Sequence, residues 1–352
     1  MPRRIAILLL LSFLTVWTPT QAAEIRTLYQ AEVVATGKDE VARDQDIRRG
    51  LQLVLGRVIS PDALASRAAA GILDQSMDYV LAYEYVRKPA PDDASAKTGV
   101  LRISFDQTRL GQVLRKNGIR VWSEQRPEIL VWLAVGDPQG HELFRPEVMP
   151  EIDRELRQAA AQWGLPVALP MLDLTDQQNL SVEDLWSGKE ERIQAAASRY
   201  ETAVVLAGQL ARSAENIWEA QWRLYRPDAK PANWQGQFPS LAEAMQAGWG
   251  GTYGKLAEAY IPKTQKATQL ELKVTGMSSL ADVSRVANYL GSLSLVKTVE
   301  WLRVEPTQAV FKLVIRGNRS ALQQAFALGK VLRPARVDDQ GFSGMNYQLL
   351  QP

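Results

Sequence analysis

His141 is the only histidine, and the chain has no cysteine. Thiol nucleophiles and thiolate metal sites are thereby excluded, as are two-histidine zinc motifs. A Ser-His-Asp triad would depend on this one residue. His141 follows the turn sequence Asp137-Pro138-Gln139-Gly140, and Asp137 follows an apolar run, where sites of open α/β sheets lie. A His–Asp pair is one reading. An exposed loop histidine is the simpler one, because no nucleophile of matching quality is evident.

Paired carboxylates are the other route to hydrolysis, and Asp173 with Asp176, or Glu183 with Asp184, stand close enough in sequence. With 39 acidic residues, some fall together by chance. Glu183 and Asp184 also follow Ser181, which reads as the first turn of a capped helix. The run Gly248-Trp249-Gly250-Gly251-Thr252-Tyr253-Gly254-Lys255 looks like a phosphate loop and fails on spacing. Leu256 follows the lysine where Ser or Thr is needed, and the run sits inside a helical pattern rather than after a strand. Its glycines are expected to permit close packing. No catalytic, metal or cofactor residue is therefore assigned. Among ten tryptophans, Trp132, Trp218 and Trp222 fall on buried faces. Trp234 lies in a loop context with Pro231, Asn233, Gln235 and Gly236. It and Phe238 are the candidate partner contacts, with a lid over the core as the equal alternative.

The elements that position these residues begin after an export pattern. Arg3 and Arg4 precede an apolar or hydroxyl-bearing stretch from Ile5 to Trp17, and Pro19-Thr20-Gln21-Ala22 ends it. Cleavage after Ala22 is expected, since cleavage after Ala23 would put the larger Gln21 three positions before the cut. The stretch is too short to span a membrane; an uncleaved anchor is the alternative. No lipid-acceptor cysteine follows it. The expected location is the periplasm. Without Arg3 and Arg4, the 41 basic residues become 39 against 39 acidic ones. A neutral mature chain gives no field to draw it to nucleic acid.

Three units follow, expected as 23–125, 126–264 and 265–352, with residues 1–22 the signal. In the first, a strand from Leu28 to Val34 precedes a helix whose apolar face is Ile47, Leu51, Val54, Leu55 and Val58. Ser60-Pro61 opens a second helix through Leu73. Strands follow over Leu81–Arg87 and Gly99–Asp106, then a helix stopped by Asn117-Gly118. The second unit has near-continuous apolar strands, Ile129–Val135 and Ala203–Leu210, between helices, which argues for an α/β layer. Ile217–Tyr225 alternates as an antiparallel strand, and Ser240 caps a helix to about Tyr260. The third unit reads β-α-β-β-α-β, the ferredoxin-like order. The fold class is thus α+β with an α/β centre, in three domains.

Several stretches resemble a proteobacterial family known only as a domain of unknown function, number 2066. They are Leu28-Tyr29-Gln30-Ala31-Glu32-Val33, the run Val121 to Leu133, the run Gly164 to Leu174, and Val182-Glu183-Asp184-Leu185-Trp186. The resemblance implies an exported Gram-negative envelope protein and brings no activity or site residue. By element order, the first unit is similar to N-terminal modules of periplasmic ring and lipoprotein assembly factors. The second is similar to the N-terminal domain of the Tol-Pal translocation protein. The expected function is a soluble periplasmic binding or scaffold protein, docking to an envelope protein or a peptidoglycan component, with no cofactor. The alternatives are a carboxylate-dependent envelope hydrolase and a carrier of a small ligand in an interdomain cleft.

Overall fold

Asp39 accepts a hydrogen bond from the Ala42 amide and so starts helix α1, Glu40–Val58. Ile47, Leu51, Val54, Leu55 and Val58 are fully buried, the face that the helical spacing predicts. They pack on a three-stranded antiparallel sheet of β1 (Gln30–Val34), β3 (Lys97–Phe105) and β2 (Val80–Pro89), in that order. The expected second helix breaks into α2 (Pro61–Leu64) and α3 (Arg67–Asp74), because the Ser66 hydroxyl accepts from the Ala69 amide and caps a fresh start. Helix α4 (Gln107–Lys116) ends at Gly118, whose φ of 72° suits glycine.

The structure is a computed structural model that describes residues 28–89, 97–122, 126–137, 140–200, 202–226, 229–261, 267–293, 295–329, 331–335, 342 and 344–350. The export signal, most of the loop after β2, and residues 123–125 of the expected first boundary lie outside the described residues.

The second unit is a sheet with helices on both faces. Strands β4 (Ile129–Asp137) and β7 (Val204–Arg212) are parallel neighbours at its centre. The order runs from β5 (Gly140–Leu143) through β4, β7 and β8 (Trp218–Arg226) to β9 (Ala229–Phe238). Strand β6 is only Val167–Ala168, parallel to β4. Pro166 and Pro170 bracket it and cannot donate to a ladder, which shortens the expected strand. Helices α5 (Pro150–Trp163) and α9 (Leu241–Tyr260) cover one face. Helices α6 (Leu174–Asn179), α7 (Val182–Ser187) and α8 (Glu190–Ala197) lie on the other side, where α7 and α8 cover Leu130, Trp132, Val205 and Ala207. Two-sided burial explains the unbroken apolar runs of β4 and β7.

Three of the four glycines of α9 seat tryptophans. A Cβ on Gly248 would lie 2.5 Å from Trp222, one on Gly250 2.9 Å from Trp163, and one on Gly251 2.5 Å from Trp234. The phosphate-loop likeness is thus a packing surface on a helix, as its failed spacing predicts. The cost of glycine inside a helix, roughly 0.5–1 kcal/mol each, is offset by the aromatic area those positions admit.

The third sheet has the order β11 (Val296–Glu305), β12 (Gln308–Arg316), β10 (Ala267–Thr275), β14 (Met345–Leu349) and β13 (Leu332–Pro334). Helices α10 (Leu280–Ser292) and α11 (Arg319–Gly329) supply Val283, Val286, Leu290, Leu322 and Phe326 to its core. The first four strands, with β10 parallel to β14, make the ferredoxin-like arrangement. Strand β13 is an addition that its three residues and Pro334 concealed. The whole is an α+β fold in several domains.

The first two units meet at a dense joint. Trp122 is buried, stacked on Tyr260 at 5.7 Å and beside Tyr253 at 5.3 Å. The Tyr253 hydroxyl donates to the Ile59 carbonyl at 2.8 Å. Arg57 Nε donates to Gln162 O at 2.8 Å, and Arg126 donates to Trp163 O at 3.2 Å and to Arg57 O. These arginines sit at the carbonyl end of α5, where the helix dipole favours cations. Burial pulls the Arg126 guanidinium down to about 10.

Candidate functional site: exposed sheet edges

Three of the four carboxylates proposed for hydrolysis are engaged in structure. Asp173 caps α6 through the Asp176 amide and accepts from both terminal nitrogens of Arg199, at 2.7 and 2.9 Å. That guanidinium first, and the amide second, hold its carboxyl down to about 2. Asp176 is fully buried and accepts from Leu172 N at 2.9 Å, from Arg199 Nη1 at 3.0 Å and from the Tyr200 hydroxyl. A fully buried carboxylate held by three donors is poorly placed to act on a water or a leaving group. The network instead fixes the loop before α6, where Leu172 is held at φ 53°. Asp184 forms a capping box with Ser181 and accepts from Lys189 at 2.7 Å, so its carboxyl also falls to about 2, the lysine being the larger cause. Glu183, beside it, is exposed in the same first turn.

His141 stands on the short edge strand β5 rather than in a loop. It pairs opposite Gly136, is exposed, and stacks on Trp186 with ring centroids 4.5 Å apart. A shallow groove of 410 Å³ passes it, lined by Gly136, Glu142, Arg212 and Trp218. No serine or threonine among the described residues lines this groove. Among the described residues no cluster of three or more metal-ligating side chains occurs.

Trp234 also lies in a strand, β9, where the Pro231–Pro239 composition suggests a loop. It sits opposite Trp222, is half-buried, and donates from Nε1 to Ala247 O at 3.2 Å. Phe238 is half-buried opposite Trp218. Both pack at the border of the core under α9.

Large apolar side chains are more exposed elsewhere. Strand β11 is an edge, paired on one side only, and exposes Trp301, Leu302 and Val304 at 51%, 49% and 40%. A bulge between Trp301 and Arg303 lies at this strip. Strand β2 is an edge of the first sheet and exposes Leu81, Tyr83 and Tyr85. Beside its start, a shallow 630 Å³ groove runs between α1 and the turn before β2, lined by Val41, Leu73 and Met77 among Asp44, Arg48, Asp74 and Asp78. Residues 301–304 are legible as a strand, but nothing in their alternation says that this strand ends its sheet. Edge position is a tertiary property.

Residues 22–123 match a family described as "Domain of unknown function (DUF8605)". This corrects the expected likeness to family 2066. The matching family is a different one, and it ends at the joint, so the quoted stretches in 164–174 and 182–186 lie outside it. None of the curated proteins matches the chain. No helix among the described residues is long and apolar enough to cross a membrane.

Proposed function

We propose that this is a periplasmic docking or scaffold protein that engages another envelope protein, and that the strip Trp301, Leu302 and Val304 is a principal contact. One observation supports this above others: a half-exposed tryptophan stands among apolar neighbours on an unpaired edge strand. Isolated apolar residues on a surface need no explanation, but contiguous ones at an edge expose both side chains and backbone groups to a partner. The export pattern of residues 1–22 supports the location, and the family match begins at residue 22, where that pattern ends. The engagement of Asp173 and Asp176 by Arg199 weighs against the hydrolase alternative.

A photo-cross-linking residue in place of Trp301, in cells exporting the full chain, tests the reading. The expected result is one discrete adduct with an identified envelope protein, abolished by Leu302→Glu. Leu280, exposed on α10 and outside the strip, is the control position. Equal adducts at 280 and 301, or none at 301, would overturn the proposal.

A further inference from the structure

The hydrogen-bond pattern of the first sheet fixes which backbone groups of β2 face outward. Phe105 N donates to Tyr29 O and Ala35 N to Gly99 O, both at 2.9 Å. Odd-numbered residues of β3 therefore bond to β1, and even-numbered ones to β2, since the two directions alternate along an antiparallel strand. In the register Ala82↔Ser104, Glu84↔Arg102 and Val86↔Val100, the even residues of β2 are consumed by β3. The peptide groups of Tyr83, Tyr85 and Arg87 point away from the sheet, and no partner for them occurs among the described residues. The side chains of Tyr83 and Tyr85 lie on the helix side, the face of Leu101 and Ile103, yet are 43% and 37% exposed.

We propose that β2 pairs antiparallel with β2 of a second copy of this chain, about a two-fold axis at Tyr85, joining two three-stranded sheets into one of six. A two-fold perpendicular to the sheet requires opposed residues of like parity, which leaves few registers. Centring on Glu84 sets like charges directly opposite, which is unfavourable. Centring on Val86 places Tyr83 opposite Pro89, which has no amide to donate. Centring on Tyr83 draws in Leu81, which stands in the register shift between Val80 and Ala82. Centring on Arg87 opposes like charges and sets Tyr85 against Pro89. Centring on Tyr85 avoids these faults. Tyr85 then faces its own copy, Tyr83 faces Arg87 on both sides of the axis, and Glu84 faces Val86. The outward peptide groups of residues 83, 85 and 87 all find partners. Tyrosine opposite arginine on one face is also a favourable cation–π geometry. Nothing in this pairing disturbs the opposite sheet face, where Arg102 bridges Glu32 at 2.9 Å and Glu84 at 2.6 Å. The interface is small, so the association is weak and depends on concentration. It is independent of the strip on β11.

The absence of cysteine makes the register directly readable. Opposed residues of a hydrogen-bonded antiparallel pair have Cα atoms about 5.5 Å apart, within disulfide reach, whereas positions four residues out of register are separated by roughly 13 Å. In purified full mature protein under mild oxidation, Tyr85→Cys is expected to form a disulfide-linked dimer at least roughly tenfold faster than Tyr83→Cys. Sedimentation of the unmodified protein is expected to show a concentration-dependent dimer that Tyr85→Lys abolishes. Tyr85→Pro is the second variant, because the amide it removes points outward and not into the β3 ladder. Equal cross-linking of the two cysteine variants, or a protein monomeric at all concentrations, would overturn self-pairing. Either result leaves the β11 adduct test unaffected.

Discussion

At the scale of single residues, the tryptophans and carboxylates answer to packing before chemistry. Trp234 is seated on Gly251 and bonded to Ala247. Trp234→Ala should cost about 2–3 kcal/mol of folding stability, less than a fully buried tryptophan because its ring is only partly buried. Thermal unfolding reads this as a drop of several degrees, and an unchanged midpoint would favour the partner-contact reading of Trp234. Asp173 makes a different forecast. Its carboxyl is held by Arg199 at about 2 in the folded chain against 3.8 ordinarily. The unfolded chain therefore binds more protons in that interval. The stabilisation is present above about pH 4 and lost as pH falls towards about 2. Asp173→Asn should flatten the acid limb of a stability-versus-pH curve in that window, measured by denaturant unfolding. A slope identical to that of the parent protein would deny the ion pair any role.

At the scale of elements, the third unit is the clearest case. All five strands of its sheet come from residues 267–349, and its core draws only on that span. A fragment of residues 265–352 should fold alone, though a domain so short will be marginally stable. Dispersed amide resonances are expected, and collapsed ones would show that it leans on the rest of the chain. The sequence exposes this unit because its helical and alternating periods change cleanly from one element to the next. It conceals β13 and β5, each of three or four residues, since such lengths hold too few positions to express a period. It also conceals α6, whose start is set by the Asp173 cap rather than by an apolar stripe.

At the scale of the molecule, the first two units are held as neighbours by polar bonds that few apolar patterns would reveal. Tyr253 on α9 reaches across to the carbonyl of Ile59. Tyr253→Phe removes that donor and leaves a buried carbonyl without its partner. A loss of about 1–3 kcal/mol is expected, with little change in shape, since the ring remains against Trp122. Amide hydrogen exchange at Trp122 should accelerate in the same variant, because its ring packs on Tyr253 at the joint. No acceleration would place the strength of the joint in Trp122 and Arg126 alone.

The sequence by itself determined the chemistry that is excluded, the buried faces of α1, β4 and β7, and the ferredoxin-like order, because composition and periodicity are local properties. Its glycine run in α9 also foretold close packing, through failed spacing. Only the tertiary structure decided that Asp173 and Asp176 are consumed by an arginine 26 and 23 residues away. It alone showed which tryptophan fits which glycine, and that β2 and β11 end their sheets. Those outcomes depend on which distant segments become neighbours. An edge strand and a central one are built from the same alternation, and only the absence of a next strand separates them.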